Sequence, residues 1–279
     1  MGNEIVKYNN DMNALRFTDF TQTDYDFLMA ICNRIKGLGE KEIKLEYVTI
    51  MELIGWDRSK KISRFENELF QMSKKLNNIN GVFKNEEGFK IFNLFNTFEC
   101  NYKKRELTVS INPKFVYILN DINKNFTRIE LKEFVGIDSR YAKALYMQIK
   151  QRYKQSGHFW QASIDEIKNL LDIPNTYPTK EITRAIINPS IEIIKTCKGL
   201  SDLEVEIIRE SRKGAPIKAY RFTWTPSGQI KGQKSIYDYA GIVPEEKQPK
   251  ITRKKKNSFN NFEQNTYDFA ELEEKLLDN

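Results

Sequence analysis

The chain of 279 residues is long enough for two domains of about 150 residues each. Its apolar residues (40%) and aromatic residues (12%) are numerous enough to form hydrophobic cores, which excludes a chain that is disordered throughout. Forty-five Lys and Arg residues against 38 Asp and Glu residues give a net charge of +7, which is compatible with a polyanionic partner or with solubility alone.

The N-terminal part has the element order of a winged helix-turn-helix. Apolar residues at helical spacing predict three helices with a short strand after the first, and three β-like stretches follow. We expect Thr23 to cap the first helix. The predicted helices are Thr23–Ile35, Tyr47–Ile54 and Ser59–Leu76, and the predicted strands are Glu42–Leu45, Gly81–Lys84, Phe89–Phe98 and Glu106–Ile111.

The same order of elements returns in the second half of the chain. A helix from Asp138 or Ser139 to Gln155 precedes the strand Phe159–Ala162, and Ser163 with Glu166 forms a capping box that opens the next helix. A third helix begins between Thr176 and Thr179, is kinked at Asn188-Pro189 and ends near Thr196. The strands Leu203–Arg209 and Ala219–Trp224 follow, joined by the basic turn Ser211–Pro216.

These patterns predict an α+β protein with two tandem winged helices and a flexible C-terminal tail. We place the first winged helix in residues 1–125, the second in residues 126–225, and a linker and tail in residues 226–279. The tail is rich in Gly, Ser, Gln, Lys and Pro and carries nine basic and nine acidic residues. The whole positive surplus therefore belongs to residues 1–225, with 36 basic and 29 acidic residues.

Basic and amide side chains on the third helix of the second unit are candidates for contacts with bases. They lie opposite the isoleucines of that helix, and such a face enters the major groove in helix-turn-helix proteins. A merely polar, solvated face is the alternative. The predicted base-contacting residues are Lys180, Thr183, Arg184 and Asn188.

Two further basic groups are candidates for phosphate contacts. One surrounds the start of the third helix of the first unit, where backbone amides and the helix dipole favour anions. The other lies at the tip of the second wing. A solvated surface again explains the first group equally well. The predicted phosphate-contacting residues are Arg58, Lys60, Lys61, Arg64, Arg212 and Lys213.

The sequence resembles the Rep3-type plasmid replication initiator proteins, which bind repeated origin sites (iterons) through two winged helices. The resemblance implies that the second winged helix contacts bases and that the first contacts phosphates and switches between dimer and monomer. It also implies host initiator, helicase or primase partners. It runs from about Asn3 to Thr225, and the stretches that carry it are NEIVKYNNDMNALRF at the N-terminus, Ser139–Tyr153, Lys180–Ile194 and Leu203–Trp224.

We therefore predict a non-enzymatic initiator that binds directly repeated origin DNA as its main partner and recruits host replication proteins. Repression of its own promoter is compatible with this function. A winged-helix transcriptional repressor without a role in initiation is the alternative. A nicking enzyme is disfavoured because His158 is the only histidine, and Cys32, Cys100 and Cys197 form no Cys-x-x-Cys pair. We predict no catalytic residue, metal or cofactor.

We also predict a cytoplasmic location in a bacterial host. No apolar run approaches the roughly 18 residues of a membrane span. The N-terminus lacks the apolar core of a secretory signal.

Overall fold

A computed structural model of the protein describes residues 4–226 apart from 77–78, 86–87, 121, 123, 156 and 211–215. The described residues belong to one compact unit. The predicted phosphate contacts Arg212 and Lys213, and the predicted tail beyond Pro226, lie outside the described residues.

The first winged helix comprises three helices and a three-stranded antiparallel sheet. Strand β6 (Glu106–Ile111) lies between β2 (Ile43–Glu46) and β5 (Phe95–Asn101) in this sheet. The connection from β5 to β6 is the wing. A separate hairpin, β3–β4, is inserted between α3 and β5. The elements are α1 (Gln22–Ile35), β2 (Ile43–Glu46), α2 (Tyr47–Leu53), α3 (Ile62–Leu76), β3 (Asn80–Asn85), β4 (Gly88–Asn93), β5 (Phe95–Asn101) and β6 (Glu106–Ile111). The short helix α4 (Val116–Leu119) follows β6.

The second winged helix repeats this topology. Its sheet order is β8-β10-β9, and both strand pairs are antiparallel. The two tandem winged helices that the sequence predicts are therefore confirmed. The elements are α6 (Arg140–Arg152), β8 (Phe159–Ser163), α7 (Ile164–Leu170), α8 (Thr179–Glu181), a π-helical stretch (Ile182–Ile187), α9 (Asn188–Lys195), β9 (Glu204–Arg209) and β10 (Ile217–Thr223).

The third helix of the second unit runs from Thr179 to Lys195 with a widened turn in its middle. Pro189 has no backbone N–H, so the carbonyl of Ala185 has no α-helical donor four residues later. The π-helical stretch Ile182–Ile187 lies directly before this position. Wider turns of this kind occur where the regular hydrogen-bond ladder is interrupted. The predicted kink at Asn188-Pro189 is thus a local widening, after which the helix continues. We call Thr179–Lys195 the recognition helix.

A strand pair joins the N-terminus to the segment between the two winged helices. Strand β1 (Ile5–Asn9) pairs antiparallel with β7 (Phe126–Glu130), which leads into the short helix α5 (Leu131–Val135). The sequence analysis predicts none of these three elements. The pair crosses the predicted boundary between residues 125 and 126, so the domain limits stay a prediction.

Two helix caps fix where α1 and α7 begin. The predicted cap of α1 at Thr23 is wrong, because the helix begins two residues earlier with a capping box formed by Thr21 and Asp24. The Thr21 hydroxyl accepts from the Asp24 amide (3.2 Å), and the Asp24 carboxylate accepts from the Thr21 amide (2.7 Å). The predicted capping box of Ser163 and Glu166 is confirmed, with distances of 3.2 and 2.6 Å.

Candidate nucleic-acid interface

The recognition helix has an apolar inner face and a basic outer face at its N-terminal end. Ile182, Ile186 and Ile187 are buried in the core. Lys180 and Arg184 are both exposed near the N-terminal end of this helix. The lysine ammonium and the arginine guanidinium together carry eight N–H donors, the chemistry that suits guanine edges and phosphates.

Arg184 is held by an ion pair with Glu181 from the preceding turn. Its Nε and Nη2 atoms donate to one carboxylate oxygen of Glu181 at 3.1 and 2.7 Å. The arginine side chain is nevertheless 77% exposed. Such an exposed pair contributes little to stability. The guanidinium can therefore exchange Glu181 for another acceptor at small cost.

Thr183 does not face outwards, and its predicted exposure is wrong. Only 9% of the residue is exposed, and its hydroxyl is 2.7 Å from the hydroxyl of Tyr220 in β10. Both hydroxyls are buried, and each satisfies the other. Thr183 therefore connects the recognition helix to the sheet, and its hydroxyl is not available to contact a base.

Asn188 is exposed but lies in different surroundings from Lys180 and Arg184. It lines a cleft of about 400 Å³ together with Glu192, Lys195 and Glu204. Glu192 and Lys195 form an ion pair at 2.7 Å. Asn188 therefore lies one turn further along the helix than Arg184, beside side chains of both charges.

The four basic residues predicted around the start of α3 are all exposed. Lys60 and Lys61 precede the first helical residue, Ile62, and Arg64 lies in the first turn. Arg58 is paired with Glu52 at 2.7 Å, and the Lys60 ammonium lies 5.6 Å from the ring of Trp56. This arrangement combines exposed cationic side chains with the positive end of a 15-residue helix.

The turn before α3 is held by an acidic side chain. The Asp57 carboxylate accepts from the amide and the hydroxyl of Ser59 at 3.0 and 2.7 Å. These hydrogen bonds, with smaller contributions from Lys60 and Arg64, keep the pKa of Asp57 below its usual range. The backbone that presents the basic residues is therefore fixed by a local turn.

The first wing adds basic residues that the sequence analysis did not select. The β5–β6 turn contains Lys103, Lys104 and Arg105, all exposed. Lys104 and Arg105 line the same cleft of about 490 Å³ as Arg58 and Lys60. The two groups are separated by more than 40 residues in sequence, so only the fold shows that they form one surface. The basic run Tyr102-Lys-Lys-Arg105, which precedes the predicted strand Glu106–Ile111, is the feature of the sequence that could have indicated these residues.

The potential metal ligands and the cysteines of the described residues are the groups that could support chemistry other than binding. Within them, no group of three His, Cys, Asp or Glu side chains is arranged to hold a metal ion. Cys32 and Cys197 are buried, and burial raises the pKa of both thiols, to about 12 and about 11. Thiols with such values are poor nucleophiles near neutral pH. In the same part of the chain, no helix is long and apolar enough to cross a membrane.

Two protein-family models match this chain in tandem. The model described as "Initiator Replication protein, WH1" matches residues 5–150, and the model described as "Initiator Rep protein, WH2" matches residues 163–224. The first match includes β7, α5 and most of α6, beyond the limit that the sequence analysis places at residue 125.

One relative and one solved structure have the same organisation. The chain is 31% identical over 208 residues to a "Probable replication protein rep" of Bifidobacterium longum (strain NCC 2705), covering 74% of this chain and 68% of that protein. A crystal structure of Pi initiator protein in complex with iteron DNA aligns with a TM-score of 0.63 and 16% identity, covering 82% of this chain and all of that one. At this identity, the match shows the fold.

Proposed function

The chain belongs to the Rep3 family of initiator replication proteins, and we propose that it initiates plasmid replication by binding directly repeated DNA at its origin. The observation that carries the proposal is the match of both winged helices to initiator models in the correct order. The same match favours initiation over the alternative of a repressor that starts no replication. Repression of its own promoter is a compatible second activity.

We assign the contacts to bases to the basic end of the recognition helix. Lys180 and Arg184 are exposed there, and arginine has donors spaced for the O6 and N7 atoms of guanine. Asn188 is exposed one turn further along the helix, and its amide can bind the N6 and N7 atoms of adenine.

We assign phosphate contacts to the first winged helix and to the second wing. Arg58, Lys60, Lys61 and Arg64 are exposed near the start of α3, and the first wing lies across the same cleft. For Arg212 and Lys213 the proposal rests on the sequence alone. Contacts of this type contribute affinity that depends on salt and position the protein without distinguishing sequences.

We propose further that the protein acts without cutting DNA, in the bacterial cytoplasm, as a homodimer that becomes monomeric on repeats and contacts host replication proteins. The family resemblance is the support for the dimer and for the host partners. The absence of strand cleavage is testable by incubating the full chain with supercoiled origin plasmid and Mg²⁺ or Mn²⁺. Relaxed DNA that carries covalently attached protein would show that the proposal of a non-enzyme is wrong.

The main experiment uses the DNA that flanks the coding sequence. We expect several direct repeats beside an AT-rich tract, and protection of each repeat by the full chain in a footprint at moderate salt. A scrambled duplex of equal length is the control, since non-specific binding is expected to any DNA. Protection confined to one inverted repeat at the promoter would instead support the repressor.

A further inference from the structure

A single carboxylate ties the N-terminal segment to the turn of the second helix-turn-helix. Asp172 lies in the connection between α7 and α8. Its Oδ1 atom accepts from Nη2 of Arg16 at 3.0 Å, and its Oδ2 atom accepts from the backbone amide of Asp19 at 2.8 Å. The Asp172 side chain is only 14% exposed. Both of its oxygens therefore bind a part of the chain that is more than 150 residues away in sequence.

The segment that Asp172 holds is itself firmly packed. Phe17, Phe20 and Tyr25 form a cluster of rings with centroids 5.2 to 5.4 Å apart, and all three are buried. Tyr25 belongs to α1 of the first winged helix. The position of Asp19 is therefore coupled to the first winged helix through rigid aromatic packing.

A second set of hydrogen bonds fastens the same segment to α6. The Asn13 amide donates to the side chain of Gln151 at 2.8 Å, and Gln148 donates to the Asn13 carbonyl at 2.8 Å. These bonds fix the segment to the first helix of the second winged helix. Asp172 is the contact that reaches the turn leading directly into the recognition helix.

The turn has little freedom once Asp172 is fixed. Leu171 and Ile173, on either side of it, are buried, and Asp172 itself has a positive φ of 52°. Ile173 donates to the Lys168 carbonyl at 2.8 Å, which closes the end of α7. A shift of the Asp172 carboxylate would therefore move the backbone that sets where the recognition helix begins.

We propose that Asp172 is a positioning residue that fixes the recognition helix relative to the phosphate-contacting surface of the first winged helix. This inference rests on the proposed function, in which both winged helices contact one DNA site. Two linked binding surfaces reinforce each other only when their separation matches the spacing of their targets. Asp172 would thus set the spacing along DNA at which both surfaces bind together.

The test measures how tightly full-length variants bind two kinds of DNA site. One is a native repeat. The other is the same repeat with one or two base pairs inserted between the regions that the two winged helices protect. The wild type should bind the inserted sites much more weakly than the native one. Asp172→Ala should lose about tenfold in affinity for the native site, within the range of coupling between linked sites. It should also discriminate less between native and inserted sites.

Two variants separate positioning from charge and from folding. Removing a negative charge beside DNA would strengthen binding to all sequences, so a selective loss on the native site is not electrostatic in origin. Asp172→Asn keeps an oxygen for the Asp19 amide and should retain most of the spacing preference. Arg16→Ala should lose only about twofold, because exposed ion pairs contribute little.

The matched control is Glu4→Gln. It breaks an ion pair with Arg34 at 3.4 Å that lies within the N-terminal half, and it should leave the spacing preference unchanged. Thermal unfolding should show that each variant is folded at the temperature of the binding measurement. One outcome is that the wild type discriminates between native and inserted sites while Asp172→Ala keeps the same spacing preference. That result would overturn the positioning role of Asp172 and leave the proposed function standing. A wild type that binds repeat and scrambled DNA equally would overturn the proposed function as well.

Discussion

Nζ of Lys143 lies 2.7 Å from Oδ1 of Asp26 in the interior, where α1 of the first winged helix packs against α6 of the second. The lysine side chain is fully buried, and the aspartate side chain is 9% exposed. Lys143 also donates to the carbonyl of Phe134 at 2.5 Å and lies 4.5 Å from the centroid of its ring. Burial lowers the pKa of Lys143, and the ion pair with Asp26 opposes this shift.

Removing Lys143 should destabilise the protein strongly. In Lys143→Met the Asp26 carboxylate stays buried without its cation, and loss of one partner of such a pair costs about 3–5 kcal/mol. The free energy of unfolding from urea denaturation at pH 8 measures the effect. The double variant Lys143→Met/Asp26→Leu should recover most of the loss, because an apolar pair needs no compensation for desolvation. Equal losses in the single and double variants would contradict this account.

The pair also predicts how stability depends on pH. Burial raises the pKa of Asp26 to about 7, with Lys143 opposing the shift, whereas an unfolded aspartate has a pKa of about 4. Between these values the folded state keeps a proton that the unfolded state has released. The contribution of Asp26 to stability is therefore fully present below about pH 4 and is lost as the pH rises to about 7.

Asp26→Asn isolates this effect because the amide does not titrate. The free energy of unfolding of the wild type minus that of Asp26→Asn should fall as the pH is raised from 4 to 7. Urea denaturation at three pH values in this range measures the difference. A difference that rises with pH would show that Asp26 is already ionised in the folded protein at acidic pH.

The sequence predicted the elements that local patterns determine. The capping box at Ser163 and the strand Glu106–Ile111 depend on neighbouring residues, and both are found where expected. Strands β1 and β7 were missed because each has only five residues and its partner lies about 120 residues away. The Lys143–Asp26 pair was missed for the same reason, since nothing near either residue indicates burial.

The candidate interface was predictable only where exposure follows from helical spacing. Lys180 and Arg184 are outside as expected, whereas Thr183 has a buried partner on β10 that no local pattern indicates. The π-helical stretch also changes the rotation per residue at this point, so α-helical spacing is a poor guide there. The basic first wing could be assigned to the interface only from the fold, which brings the wing close to the start of α3.

Thr183 should matter for stability and not for DNA sequence preference. Thr183→Val leaves the Tyr220 hydroxyl buried without its partner, which costs about 1–3 kcal/mol. Thermal or urea unfolding measures the loss, and Thr183→Val/Tyr220→Phe should restore part of it. At a temperature where the variant is folded, its affinity ratio between repeat and scrambled DNA should equal that of the wild type. A reduced ratio would return Thr183 to the base-contacting set.

Lys104 on the first wing should contribute to binding of any DNA. Its exposed ammonium shares a cleft with Arg58 and Lys60, and phosphate contacts carry no sequence information. Lys104→Ala should weaken binding to repeat and scrambled DNA by the same factor and reduce the salt dependence by about one counterion. Lys104→Arg is the control, because it retains the charge and should retain the slope. An unchanged slope in Lys104→Ala would place the first wing away from DNA.

Arg184 should instead discriminate between DNA sequences. It projects from the recognition helix one turn after Lys180, and its guanidinium needs only to exchange Glu181 for a guanine edge. Arg184→Ala should cost about 1–3 kcal/mol on repeat DNA and much less on scrambled DNA. Binding curves on both duplexes at several salt concentrations measure these losses, and circular dichroism checks that the variant is folded.

The decisive comparison is Arg184→Lys. Lysine keeps the positive charge but lacks the planar pair of donors that binds O6 and N7 of guanine together. If Arg184 contacts a base, Arg184→Lys should lose most of the preference for repeat DNA while binding scrambled DNA as tightly as the wild type. If Arg184 contacts only phosphate, the lysine variant should behave like the wild type on both duplexes, and Arg184→Ala should weaken both equally. Since Glu181 holds the guanidinium in the free protein, Glu181→Gln should strengthen binding to both DNAs, with the larger gain on repeat DNA if Arg184 contacts a base.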